Sequence, residues 1–534
     1  MRVAWFSPLP PVHSGIAAYS VDVLAGLRDR HQVHLYVDDP VWHAAGGGLH
    51  AGVGPRIAPQ PGPFGLPVYR AFDFPVQHEH LAYDLIVYQL GNASCHRFMW
   101  PYLLRWPGLV VLHDAALHHA RAQALLFDNR ADDYRAEFRF NHPGVDPRVA
   151  DFVVAGLQGS PYYLWPMLRL VMTRARAVAV HAEPLRAELA ETFPETPFTT
   201  VAMGVPDPWE NAERNAERQT PNAEAMALVT PATGHRAPGA GLVRATDNRH
   251  PATEPVSGSK PEVGGVTKPE GTRPTAQGPL AAAEGGTTKA HVVLSAFGLI
   301  TPEKRILPIL RTLAAIRPEA PHVRLRLVGE IGEHYALWQD VGATGTRDLV
   351  EVTGYVNDDE LAAELRAADV CLCLRWPTAR ETSASWLRCL AAGKPTVVPD
   401  QLSIVDVPTV DPRHWLLKHD RSDAAAVFQP PDASRAVAVS IELGDEEAML
   451  RQALRRLVTD SDLRRSLGER ARAWWEARHT LPRMQRDYAR VMAWAASQPL
   501  PAWPAAAPPH LRPDPARMAR RLAAPFGVEV DILG

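Results

Sequence analysis

Three stretches of the 534-residue chain put reactive side chains where chemistry can use them. The first is Arg375-Trp-Pro-Thr-Ala-Arg-Glu-Thr-Ser383, which supplies a carboxylate, Glu381, and two hydroxyls, Thr382 and Ser383, just before a helical run. These groups and the free amides of a helix start suit sugar hydroxyls and phosphate oxygens. They equally suit a solvated loop in which Thr382 or Ser383 only caps the helix. The second is Gly108-Leu-Val-Val-Leu, an apolar run that ends in His113-Asp114, with His118 and His119 about a turn later. The pair fits a polar strand end facing a ligand, and it also fits a structural histidine. A metal site is a third reading, weakened because metal-dependent phosphohydrolases carry such a pair on a helix among further ligands. The third is Phe297-Gly298 followed by Lys304-Arg305, a strand end leading to two cations.

The elements that position these residues alternate regularly. Arg2 to Phe6 is a strand, Ile16 to Arg30 has helical spacing, and His34 to Val37 is a second strand. Between them, Ser7 to Gly15 lacks the glycine-x-glycine fingerprint of dinucleotide folds. Gly15 at the helix entry marks either a position with no room for Cβ or the close approach of a ligand. Further strands are expected at Tyr83 to Leu90, ending in Gly91-Asn92, at Ala175 to Ala182, ending in His181, and at Thr199 to Pro206. Helices are expected over Cys95 to Leu104 and Glu183 to Thr192. A second series runs from His291 to Gly298, through a helix to Ile316, strands at Arg324 to Val328 and Leu349 to Thr353 (before Gly354), and a helix at Asp358 to Ala368. It closes with a β-α-β unit: Asp369 to Leu374, Ser383 to Ala392, and Thr396 to Val398. Ala448 to Ala496 reads as two helices whose stripe of Trp474, Trp475, Met484, Tyr488 and Met492 belongs in a core. Such alternation predicts an α/β chain with two doubly wound parallel sheets, which bind ligands beyond the carboxyl ends of their strands.

Composition narrows the classes. A net charge of −3 gives no electrostatic case for nucleic acid or for a strongly anionic membrane. Four cysteines make no disulfide framework, and Cys371 and Cys373, alternating on a strand, read as small buried hydrophobes. The opening MRVAWFSPLPP lacks the apolar core of a signal peptide, and no apolar run is long enough to span a bilayer. A soluble, cytoplasmic protein with at most peripheral membrane contact is expected. Residues 207–289, without an aromatic residue after Trp209, read as a disordered insertion, and 496–534 as a proline-rich tail with a basic scrap at Pro515 to Leu522.

Taken together, FSPLPPVHSGIAAYS, YQLGN, VVLHDAALHH, FGLITPEKR, VTGYV and RWPTARETSASWLRCLAAGKP resemble the retaining family-4 glycosyltransferases of the GT-B fold. The resemblance covers residues 1–206, which would be the acceptor-side domain, and 290–495, which would bind the nucleotide sugar. It implies a hexose donor carried on UDP or GDP, a glycan or lipid-linked acceptor, and no metal or other cofactor. It implies that Lys304 faces the donor diphosphate, that Glu381 accepts hydrogen bonds from sugar hydroxyls, and that the amides of Thr382 and Ser383 hold phosphate. Gly15, Gly298 and Gly354 would line the nucleotide side, and His113 and Asp114 would lie beside the reactive carbon and the acceptor.

Two positions depart from the family pattern. Leu299 stands where the family has arginine, with Arg305 the nearest substitute, and Cys389 or Arg388 stands where it has a second, ribose-binding glutamate. A catalytically inactive GT-B scaffold is therefore the competing expectation. An oxidoreductase with tandem Rossmann-like domains is disfavoured, because G-x-G-x-x-G is absent from both first loops.

Overall fold

The structure is a computed structural model that describes residues 1–12, 14–37, 59–157, 159–210, 291–418 and 433–512. Most of the expected insertion, from 211 to 289, and the basic scrap Pro515 to Leu522 lie outside the described residues.

In the N-terminal lobe, eight strands are β1 (Arg2–Phe6), β2 (Gln32–Val37), β3 (Gln60–Pro61), β4 (Pro67–Arg70), β5 (Leu85–Leu90), β6 (Leu109–Leu112), β7 (Ala177–Val180) and β8 (Phe198–Thr200). They lie in the order β3-β4-β2-β1-β5-β6-β7-β8, parallel except for the β3/β4 edge. The C-terminal lobe repeats the plan with β9 (Val292–Phe297), β10 (Val323–Val328), β11 (Val350–Val352), β12 (Val370–Leu372), β13 (Thr396–Pro399), β14 (Thr409–Asp411), β15 (Leu416–Leu417) and β16 (Ala438–Ile441). Their order is β11-β10-β9-β12-β13-β16-β14-β15, again parallel save the last pair. Runs such as LIVYQL and LVVL are buried throughout because helices cover both faces of a parallel sheet. The expected α/β class and doubly wound sheets are present.

In each sheet the chain winds outward from its first strand and then returns to that strand's other side. The two switch points therefore lie between β1 and β5 and between β9 and β12. Crevices open at such points beyond the strand ends, so the loops after these strands are where a site belongs.

Several details differ from the sequence reading, which does not name β3, β4, β14, β15 or β16. The last N-terminal strand stops at Thr200 and returns only as an isolated bridge from Val205 to Thr480. Of five helices between His118 and Arg174, the first four and Met167, in the loop before the fifth, build a separate apolar cluster around Leu125, Tyr134 and Phe138, which the sequence reading passed over. The C-terminal region holds three helices instead of two: Glu446–Thr459, Ser461–Arg478 and Leu481–Ser497. The first break falls at Asp460, whose side chain caps the next helix by accepting from Leu463 N at 2.8 Å. The second falls before Pro482, at a position a helix start tolerates.

The third helix packs on the N-terminal lobe. Tyr488 accepts a hydrogen bond from Tyr19 at 2.9 Å, and Gln485 donates to the Asp22 carbonyl at 2.9 Å. The first part of the proline-rich tail is docked there too, where Arg176 donates to the Gln498 carbonyl at 2.7 Å and His510 meets Glu137 at 2.8 Å. The segment expected to be disordered is anchored at its start, because Asp207 forms a two-pronged ion pair with Arg472 at 2.6 and 2.8 Å.

Candidate functional site

The C-terminal switch point holds a solvent-open cleft, lined by Phe297, Lys304, Cys373, Arg375, Glu381 and Ser385 among others. Beside Lys304 and Ser385 the backbone is bare. Gly298 has φ +88°, and a Cβ there would sit 3.3 Å from Lys304 Nζ and 3.5 Å from Ser385 Oγ. Gly329, at the end of β10, has φ +148°, and a Cβ on it would meet the Gly298 carbonyl oxygen at 2.4 Å. Two bare backbones thus cross where a cation, a hydroxyl and a helix start converge.

That helix is Ala384–Ala391, which follows β12 through the Arg375–Ser383 loop. Ser383 is its N-cap, with Oγ accepting from Trp386 N at 3.2 Å. The amides of the first turn have no carbonyl one turn back to bond, so they point outward with the positive end of the helix dipole. Ser385, not named from the sequence, brings its hydroxyl to the same place. Its only signal is its position two residues past the cap.

Lys304 reaches back to donate to the Phe297 carbonyl. Burial, and then the nearby Arg375 guanidinium, lower its pKa to about 8. Arg375 is the second cation of the cleft and forms an ion pair with Glu381, whose other carboxylate oxygen accepts from Thr378 Oγ1 at 2.6 Å. The sequence reading gave Arg375 no role, because a loop arginine carries no pattern. Its partner Glu381 was named, and the two meet across the turn.

Across the cleft, β6 delivers His113 and Asp114. The Ala115 amide donates to the Ala379 carbonyl at 2.8 Å, and Arg380 forms an ion pair with Glu188, so the two lobes touch at this point. Asp114 Oδ2 accepts from Asn92 N at 2.6 Å. Burial, and then the Glu381 charge, raise its pKa to about 6. Gly91 is required here, since a Cβ would meet Ile16 at 2.6 Å and Asp114 Oδ2 at 3.0 Å.

Several named residues are placed elsewhere. The His113 ring is buried in the lobe: Nε2 is 2.8 Å from Gln89 Oε1 and Nδ1 is 3.2 Å from His181 Nε2. Burial, with the neighbouring His181 and His96, pushes its pKa well below the usual histidine range, so the ring is neutral. His118 turns inward to the Tyr134 hydroxyl at 2.7 Å, so the histidines after β6 do not gather around a common point. No group of three or more His, Cys, Asp or Glu side chains among the described residues is placed to hold a metal ion.

Arg305 is turned away from the cleft. It takes a left-handed backbone (φ 58°) and its guanidinium binds Glu446 at 2.9 Å. Leu299 is 55% exposed and brings no charge. Gly354 follows the edge strand β11, two strands from the switch point, and does not line the cleft. Gly15 opens its helix after the Ser14 cap, and a Cβ there would find no atom within 4 Å. The reading that Gly15 has no room for a side chain is therefore wrong, and the space beside it is open.

Residues 291–428 match the family model described as "Glycosyl transferases group 1". No curated protein sequence matches the chain. Among solved structures, HepE of Anabaena in complex with UDP and glucose is similar at 12% identity over 92% of this chain and 100% of that one, with a TM-score of 0.50. The UDP-glucose complex of HepE gives the same identity, coverage and score. Sucrose-phosphate synthase from Thermosynechococcus elongatus is similar at 14% identity over 93% of this chain and 100% of that one, with a TM-score of 0.51. The two doubly wound lobes and the cleft at the switch points are those of the GT-B fold, and the lobe built from β9 onward carries the glycosyl transferases group 1 match.

Proposed function

We propose that the protein is a glycosyltransferase of the retaining family-4 type, which moves a hexose from a UDP- or GDP-sugar to a glycan or lipid-linked acceptor in the cytoplasm. One observation carries this reading: Gly298, Lys304 Nζ, Ser385 Oγ and the start of the helix Ala384–Ala391 converge with no side chain between them. A cation, a hydroxyl and free amides around a bare backbone suit a diphosphate. The UDP and UDP-glucose complexes of HepE support a uridine donor.

Lys304 and Arg375 offset the charge that grows on the departing diphosphate. Glu381 accepts sugar hydroxyls once Arg375 turns toward the phosphates, and the amides of Thr382 and Ser383 extend the phosphate site. Asp114 faces the acceptor, and His113, fixed by Gln89 and His181, holds the peptide that carries it. The acceptor oxygen attacks the anomeric carbon on the face the diphosphate leaves. The C–O bond to phosphate breaks, the new glycosidic bond forms, and the acceptor proton passes to the departing phosphate oxygen. Configuration is retained, and the residues supply positioning and charge and need no covalent intermediate.

A second reading, a GT-B scaffold that binds nucleotide sugar without transferring it, is favoured by Leu299 in place of the family's arginine and by Cys389 or Arg388 in place of its second glutamate. Calorimetric titration of UDP, GDP and ADP into the protein and into its Lys304→Ala and Glu381→Ala variants tests both. The transferase reading expects one nucleotide to bind, Lys304→Ala to weaken it by about 1.5–3 kcal/mol, and the sugar nucleotide to be consumed. Binding without loss of the sugar supports the scaffold, and no binding to the intact protein overturns both.

A further inference from the structure

Three of the four cysteines meet beneath the cleft. Cys373 is the first residue past β12, and its Sγ lies 3.8 Å from Cys389 Sγ on the helix Ala384–Ala391. Cys371, two residues back on the same face of the strand, also touches the Cys389 thiol. All are free, Cys371 and Cys389 are buried, and Cys373 alone is partly open. It lines the cleft beside Lys304. An accessible thiol next to an ammonium is the reactive member of such a group, and a buried thiol in contact with it is its resolving partner.

We propose that Cys373 and Cys389 form a reversible oxidation site, with a peroxide as the oxidant and Cys373 as the thiol it reaches. The Cys373 thiol gives up its proton, the thiolate attacks one peroxide oxygen, the O–O bond breaks, and the leaving hydroxide takes up that proton, so that a sulfenic acid and one water result. The Cys389 thiol then attacks the sulfenic sulfur, the S–O bond breaks, a second water leaves, and the disulfide forms. Two thiols lose two hydrogens, and one hydrogen peroxide becomes two waters. A disulfide needs the sulfurs at about 2.05 Å, so side-chain rotation must close the present gap of 3.8 Å. Cellular thiols reverse such a bond in a reducing compartment. The site goes beyond the donor-binding reading and stands or falls without it.

The test treats the full-length, reduced protein with hydrogen peroxide, blocks remaining thiols with iodoacetamide, and maps tryptic peptides by mass. Trypsin leaves Ala367–Arg375, which carries Cys371 and Cys373, and Cys389–Arg413, because the Lys394-Pro395 bond resists it. The expected product is these two peptides cross-linked, two hydrogens lighter than their sum and separated by dithiothreitol. The cross-link persists in Cys371→Ser and is lost in Cys373→Ser, while Cys389→Ser leaves a Cys373 sulfenic acid that dimedone traps. Should Cys389→Ser fail to fold, the other two variants still decide. Full alkylation of all four cysteines after peroxide, oxidation confined to Cys95, or a cross-link that survives Cys373→Ser overturns the proposal.

Discussion

Asp114→Asn separates what the fold prefers from what the site requires. The Asp114 carboxyl has its pKa raised from 3.8 to about 6, first by burial and then by Glu381, against the pull of the Asn92 amide and Arg375. A raised acid pKa means that the folded state holds the proton more tightly than the unfolded one. Stability therefore grows as pH falls through about 6 and levels off below 3.8. Above pH 6 the ionised carboxylate costs the fold. The rise from 3.8 to about 6 makes this cost about 3 kcal/mol. Asparagine keeps the shape and can still accept from the Asn92 amide, but carries no charge. At pH 8, Asp114→Asn is expected to stabilise the N-terminal lobe by up to that amount, and the gain should vanish near pH 4. Glu381→Gln should give part of the same gain, and the double variant less than the sum, because the two carboxylates share one repulsion. Calorimetric melting of wild type and variants across pH 4 to 8 reads both effects. Equal stability differences at pH 8 and pH 4, or destabilisation at pH 8, would refute the reasoning.

Three further outcomes follow from the two lobes. The depressed Lys304 pKa of about 8 means that the free cleft loses its ammonium above that pH. Nucleotide affinity is then expected to fall up to tenfold per pH unit beyond it, and Lys304→Met should flatten that slope in calorimetric titration. Gly329→Ala drives a Cβ to 2.4 Å from the Gly298 carbonyl, so a stability loss of about 1–3 kcal/mol by denaturant unfolding is expected. Gly15→Ala, with no atom within 4 Å of the new methyl, should leave stability unchanged or slightly raised while weakening a diphosphate-bearing ligand.

The central strands were legible because buried parallel strands write themselves as unbroken apolar runs, as in LIVYQL and VVLSAF, whereas β3, β4, β14, β15 and β16 were not. The helices from His118 to Arg174 were not. Their apolar residues, Leu125, Tyr134 and Phe138, are spread over separate short helices and joined by Met167 from a loop, and their surfaces are crowded with Asp and Arg. The family resemblance, more than strand-end position, points to Lys304, Glu381 and Asp114 as one site; Lys304 and Glu381 line one cleft, and Asp114 stands close enough to Glu381 to feel its charge. Where a side chain turns after its strand ends is a separate matter, set by neighbours distant in the chain. His113 follows Gln89 and His181 into the interior, and Arg305 follows Glu446 away from the cleft.

The cation balance of the cleft shows the same limit. Along the chain, Leu299 counts as a lost cation, and Arg305 is the obvious replacement because it is near in sequence. A switch point makes a different residue near in space. The end of β12 lies beside the end of β9, and the Arg375 that follows it stands close enough to Lys304 to lower its pKa. Two like charges held together in a partly buried cleft, with one carboxylate between them, are a standing demand for an anion. Glu381 meets that demand in the free protein through its ion pair with Arg375. A diphosphate would have to compete with that carboxylate for Arg375, and in doing so would release Glu381 for the sugar. On the transferase reading, the charge that Leu299 does not bring would come from the adjacent strand, and its pairing with Glu381 would couple phosphate binding to sugar recognition.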